Sequence, residues 1–144
     1  MRHGRSAVTP ATAGDVARRL VLVRALTFGY IAAWLTVRAG YVWGVANQPA
    51  RRFEPVGIVG LLGAPPHRAV TMTVAVTTLV AAVLAATGRL LWVSAPVAAL
   101  GMLGVASLVS SFGQIFHTEH LVVLHAGVLA AHAVGTARGR GSRE

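Results

Sequence analysis

Four stretches of this 144-residue chain, at about residues 15–37, 66–87, 90–111 and 118–135, are predominantly apolar and hold about 18–23 residues each. An α-helix of that length crosses roughly 30 Å of hydrocarbon. Inside a bilayer each backbone N–H and C=O must find its partner within the protein, so a spanning segment of this kind is helical. The pattern predicts an all-α fold: an integral membrane four-helix bundle. The composition agrees, at 55% hydrophobic and only 12% charged, where a soluble domain carries about a quarter charged residues. A single domain is the default at this length.

The boundaries follow from local chemistry. Asp15 is placed to cap the first span, with Arg18 and Arg19 at the interface and Arg38 at the far end. Pro66 suits the first turn of the second span. Gly88-Arg89 reads as a tight turn, and Pro96 falls in the first turns of the third span, where it favours a slight kink. The spans then form a transmembrane domain over residues 15–136. Residues 1–14 read as a disordered cytoplasmic tail and 137–144 as a basic cytoplasmic tail. A signal peptide competes for the N-terminus, but Arg24 interrupts the apolar run early and no clear cleavage site follows. A retained anchor is therefore expected.

The net charge of +9 comes entirely from arginine, because the chain has no lysine. So basic a chain would ordinarily suggest nucleic acid. Here the arginines flank apolar segments, as topology signals do, and no nucleic-acid role is expected. Abundant Ala, Gly, Val and Arg without lysine suits the codon bias of a GC-rich bacterial genome, hence a bacterial inner membrane. With both termini inside, the cytoplasmic side holds Arg2, Arg5, Arg18, Arg19, Arg89, Arg138, Arg140 and Arg143. The outer side holds Arg38, Arg51, Arg52 and Arg68. The bias favours N-in and C-in. The absence of cysteine removes disulfides, thiolate metal sites and cysteine catalysis.

The connection between the first two spans, about residues 39–65, is long for a bundle loop. With Tyr41, Trp43, Phe53 and the apolar run at 56–62, it suits a segment lying in the interface or dipping into the membrane. Small residues four apart, such as Ala81 and Ala85 or Gly127 and Ala131, let helix backbones approach closely. They leave a membrane protein partner or a homo-oligomer open beside the lipid bilayer itself.

Ionisable groups within the spans are costly and mark candidate sites. Residues 112–125 hold three of the six histidines and one of the four acids. On a helix His117 and His120 share a face, whereas Glu119 points largely elsewhere. His125 and His132 share a stripe but lie roughly 10.5 Å apart along the axis, too far to chelate one small ion. The spacing is not His-Glu-x-x-His, so the zincin reading fails. The topology brings His67 and Arg68 to the same outer face as His117, Glu119 and His120, with Arg51, Arg52 and Glu54 in the outer loop. His117, Glu119 and His120 are the catalytic candidates. Arg24, Arg52, Glu54, His67 and His125 are the candidates for binding a ligand. His67, His117, His120 and a carboxylate would suit a divalent metal or proton transfer, or simply satisfy hydrogen bonds at the interface. The pattern names no metal and no cofactor. No other predicted helix interior carries a histidine, which disfavours haem within one monomer. For His125 and His132, bonds to neighbouring helices are the plainer expectation. Arg24 either snorkels or meets an anionic head group between helices.

The run SSFGQIFHTEHLVVLH at residues 110–125 resembles the signature of the HTTM family, bacterial membrane proteins similar to the membrane part of vitamin K-dependent gamma-carboxylase. Val23-Arg-Ala-Leu26 and Arg52-Phe-Glu-Pro-Val-Gly57 also look like that family. The likeness covers about residues 18–133, in a short, four-span version. It implies a polytopic membrane protein with its polar groups in a cavity. It does not bring carboxylase activity, because the carboxylase uses a lysine base near this segment and has a large lumenal region, and this chain has neither. A weaker resemblance, to small four-helix DoxX-like proteins, implies a membrane redox or quinone-linked complex. Two functions are expected from these observations. One is a polar site acting on a lipid- or quinone-like ligand; the alternative is a non-catalytic membrane subunit or scaffold.

Overall fold

The computed structural model describes residues 12–113 and 117–141. It is an all-α bundle of four long helices, α1 (Ala13–Val37), α3 (Arg68–Ala86), α4 (Leu91–Ser110) and α5 (His117–Gly141), with a short α2 (Ala39–Ala46) after the first. Each long helix contains a segment long and apolar enough to cross a membrane, as in a multi-pass membrane protein. Most of the proposed tails, residues 1–11 and 142–144, lie outside the described residues.

α1 starts earlier than expected, because Thr12 is its cap and Asp15 the third helical residue. The Thr12 hydroxyl accepts from the Asp15 N–H at 3.3 Å, and Thr12 donates back to the Asp15 carboxylate through its own N–H at 3.3 Å and its hydroxyl at 2.7 Å. This is a reciprocal capping box. α1 breaks for one residue at Arg38, and α2 resumes at once. The first eight residues of the expected loop are thus helical.

His67, after Pro65-Pro66, caps α3 through its Nδ1, which accepts from the Ala69 N–H at 3.2 Å. α3 ends in a Schellman motif. Gly88 takes φ +82°, its N–H bonds to the Ala85 carbonyl at 3.1 Å, and the Arg89 N–H reaches the Leu84 carbonyl at 2.8 Å. Leu90, at φ +48°, completes the turn into α4.

α4 is the centre of the bundle. It packs between α3 and α5, and α3 in turn packs on α1, while α1 and α5 meet along a lighter seam. Within its apolar window 56% of α4 is buried, against 11% for α5. α5 therefore presents most of its surface outward, where leucine and valine suit lipid. It also runs through Gly141, beyond the expected end at 135.

The loop over 47–67 folds back on α4. The Ser111 carbonyl accepts from the Glu54 N–H at 2.8 Å, and the Ser111 hydroxyl accepts from the Val56 N–H at 3.0 Å while donating to the Ser107 carbonyl at 2.8 Å. Phe53 and Phe112 pack with their rings tilted by 51° and centroids 5.6 Å apart. Gly57, at φ +63°, lies so close to α4 that a Cβ there would fall 2.6 Å from the Ser107 hydroxyl. One end of the bundle is thus closed by this loop, and the other carries the Gly88 turn.

Candidate functional site

Among the described residues the loop end holds one buried carboxyl. Glu119 lies in the first turn of α5, is only 4% exposed, and points into the seam with α1. Its Oε1 accepts from the indole Nε1 of Trp34 at 2.7 Å. Its Oε2 is buried with no hydrogen-bond partner among the described residues. A buried polar atom left unpaired costs about 1–3 kcal/mol, so an oxygen in this state is a candidate for meeting a ligand or water.

α1 supplies the rest of the surroundings. Tyr30, Trp34 and Arg38 are spaced four apart and share one stripe of the helix. The Arg38 guanidinium lies 5.5 Å from the Trp34 ring centroid and 6.0 Å from that of Tyr41. Tyr30 stands one turn before Trp34 on that stripe. At Tyr41, in α2, burial raises the phenol above its ordinary range and Arg38 opposes that shift, so it stays neutral near pH 7.

Trp34, Ala106, Val109, Ser110, Glu119 and His120 line a cavity of about 10 Å³. That is room for about one water. Anything larger must reach this carboxyl from the side. His120 offers that side: it lines the same cavity yet is exposed on the outside of α5. The arrangement is a buried carboxyl beside an imidazole open to the surroundings. It can hold a water and pass a proton between interior and surface.

The other candidates go elsewhere. His117 begins α5, and its side chain lies outside the described residues. His67 spends its Nδ1 on capping α3 and lines a different cleft with Gln48, Arg68 and Phe112. Arg52 is exposed and donates to Gln48 Oε1 at 3.3 Å, and Glu54 is exposed, pinned through its backbone to Ser111. Among the described residues no three His, Asp or Glu side chains come together as a metal would need. His125 Nδ1 pairs with the Leu121 carbonyl of its own helix at 2.7 Å, not with a neighbouring helix, because it faces outward. Arg24 and His132 line a groove at the opposite end, with the turn after α3.

Sequence reasoning placed Glu119 and His120 at one site but missed Trp34, Tyr30 and Arg38. The available signal is the aromatic pair Tyr30 and Trp34, four apart, followed four residues on by Arg38 at the helix end. No family model matches the chain, and neither a curated protein nor a solved structure does.

Proposed function

We propose that the chain is a multi-pass protein of a bacterial inner membrane, HTTM-like, that binds a lipid- or quinone-like molecule at the outer end of α5. Glu119 and His120 exchange hydrogen bonds and a proton with that molecule. The observation that carries this reading is the Glu119 carboxyl, buried and held through one oxygen by Trp34, with its second oxygen unpartnered among the described residues. The exposed His120 beside it gives a membrane-borne ligand a point of access. The arginine bias supports N-in and C-in, which puts this end outside. The likeness of residues 110–125 to the HTTM signature supports the class of protein.

The test uses a short-chain ubiquinone added to the purified chain, read by quenching of tryptophan fluorescence. Saturable quenching is expected, weakened about tenfold in Glu119→Gln, the equivalent of about 1.4 kcal/mol. Non-saturable quenching, or identical affinity in the variant, would overturn the reading.

One observation favours the alternative of a membrane subunit or scaffold. Gly127, Ala131, Gly135 and Gly139 form an exposed stripe of small residues along α5, the kind of face on which a second helix packs closely. An unchanged ubiquinone response in Glu119→Gln, together with a defined oligomer in mild detergent, would favour it.

A further inference from the structure

At the turn end, away from Glu119, helices α1, α4 and α5 leave a groove of about 490 Å³ between them. Its walls are mainly apolar, with Phe28 from α1, Trp92 from α4 and Leu129 from α5. Among the described residues Arg24 is the one arginine lining it, and His132 and Thr136 of α5 line it as well. Arg24 is half-buried, its Nε is shut away without an acceptor, and it makes no hydrogen bond or ion pair with any described residue. None of the described acids, Asp15, Glu54 and Glu119, lines the groove. The backbone makes room for the guanidinium: a Cβ on Gly88 would lie 2.9 Å from its Nη2 and 3.2 Å from its Cζ.

An arginine within an apolar span is expensive unless something answers its charge. Among the described residues this groove supplies space and apolar walls but no counter-charge. Its occupant must bring an anionic oxygen group for Arg24 and apolar length for Phe28, Trp92 and Leu129. Between Leu20 and Phe28 the groove follows roughly 12 Å of α1, with Arg24 halfway, so a head group at the mouth and a chain running inward both fit. Arg18, Arg19, Arg89 and Arg138 lie in the same end of the bundle and draw an anionic leaflet towards it. We infer that the groove seats one anionic phospholipid, its phosphate on Arg24 and an acyl chain along the apolar wall. The guanidinium fork pairs with phosphate oxygens through two parallel N–H donors. This site is independent of the one at Glu119.

The test is thermal unfolding of the purified full chain in mild detergent with added phosphatidylglycerol, phosphatidylcholine or inorganic phosphate. Phosphatidylglycerol is expected to raise the midpoint by roughly 5 °C at saturation, and the other two are not. Arg24→Gln should abolish that shift, and Arg51→Gln, exposed in the loop at the other end of the bundle, should keep it. An equal shift from phosphatidylcholine means general lipid solvation, an equal shift from inorganic phosphate means a free-anion site, and a shift that survives Arg24→Gln places the lipid elsewhere; each overturns the inference. If Arg24→Gln does not accumulate, chain-brominated lipids decide on the unaltered protein. Brominated phosphatidylglycerol should quench tryptophan more than brominated phosphatidylcholine, with the excess lost in Trp92→Phe. No excess, or an excess that survives Trp92→Phe, overturns the inference.

Discussion

Replacing Gly101 with alanine is expected to destabilise the bundle by about 1–3 kcal/mol, the usual cost of overpacking a well-filled interior. Gly101 faces α3 from the middle of α4, and a Cβ there would sit 1.9 Å from Thr78 Oγ1, 3.0 Å from its Cβ and 3.1 Å from its Cγ2. Rotating Thr78 cannot relieve all three contacts. Its side chain is wholly buried, and its hydroxyl already donates to the Val74 carbonyl at 2.6 Å. The helices would have to separate, and α3 against α4 is one of the principal contacts of the fold. The variant should show a lower unfolding midpoint in detergent. Pairing it with Thr78→Ala should recover part of the loss, since that removes the two side-chain atoms beyond Cβ. Gly127→Ala is the control: nothing lies within 4 Å of a Cβ there, and alanine's better helix propensity, worth up to about 1 kcal/mol, should leave stability equal or higher. Equal losses in Gly101→Ala and Gly127→Ala would show that the close approach of α3 to α4 is not what Gly101 provides.

The four spans were legible because hydropathy and length act locally and the bilayer permits few alternatives. The turn between α3 and α4 was legible for a similar reason, since Gly88 supplies the left-handed residue that a Schellman ending needs. Less legible was what depends on competition between weak signals. Thr12 and Asp15 both suit a helix start, and the capping box assigns Thr12 the cap and Asp15 the return bond. Residues 39–46 read as loop because Arg38 looked like an end, yet the helix resumes after a one-residue break. The last helix read as ending at 135 because the sequence turns polar, although hydropathy limits a span and not the helix that carries it. Ala137 and Arg138 are good helix formers and continue it.

The site was half legible. Burial cost singles out Glu119 in any helix bound for a membrane. Its partner Trp34 is 85 residues away in sequence, and only the packing of α1 beside α5 brings the two together. Arg24 stands out of place in its span on sequence alone. The groove around it depends on three helices and on a glycine that keeps the turn clear, and no local pattern records that.

Trp34→Phe and Glu119→Gln should separate support from chemistry at the loop end. Phenylalanine keeps most of the ring volume but removes the indole N–H, leaving neither Glu119 oxygen with a hydrogen-bond partner among the described residues. Losing a buried bond to such a group costs about 1.5–3 kcal/mol, although bonds between membrane helices often measure nearer 0.6. Trp34 also carries Arg38 over its ring, and phenylalanine is a weaker face for a cation, so the upper part of that range is expected. Glu119→Gln differs in kind. Its amide oxygen still accepts from Trp34, so the link between α1 and α5 survives and the midpoint should move by no more than about a third as much as in Trp34→Phe. What glutamine cannot do is exchange a proton. Stability lost in Trp34→Phe with ligand response lost in Glu119→Gln is the pattern a working carboxyl produces. If Glu119→Gln instead loses stability as heavily as Trp34→Phe while binding in the surviving folded fraction is unaltered, Glu119 is a fastener between two helices and the reactive group must be sought elsewhere.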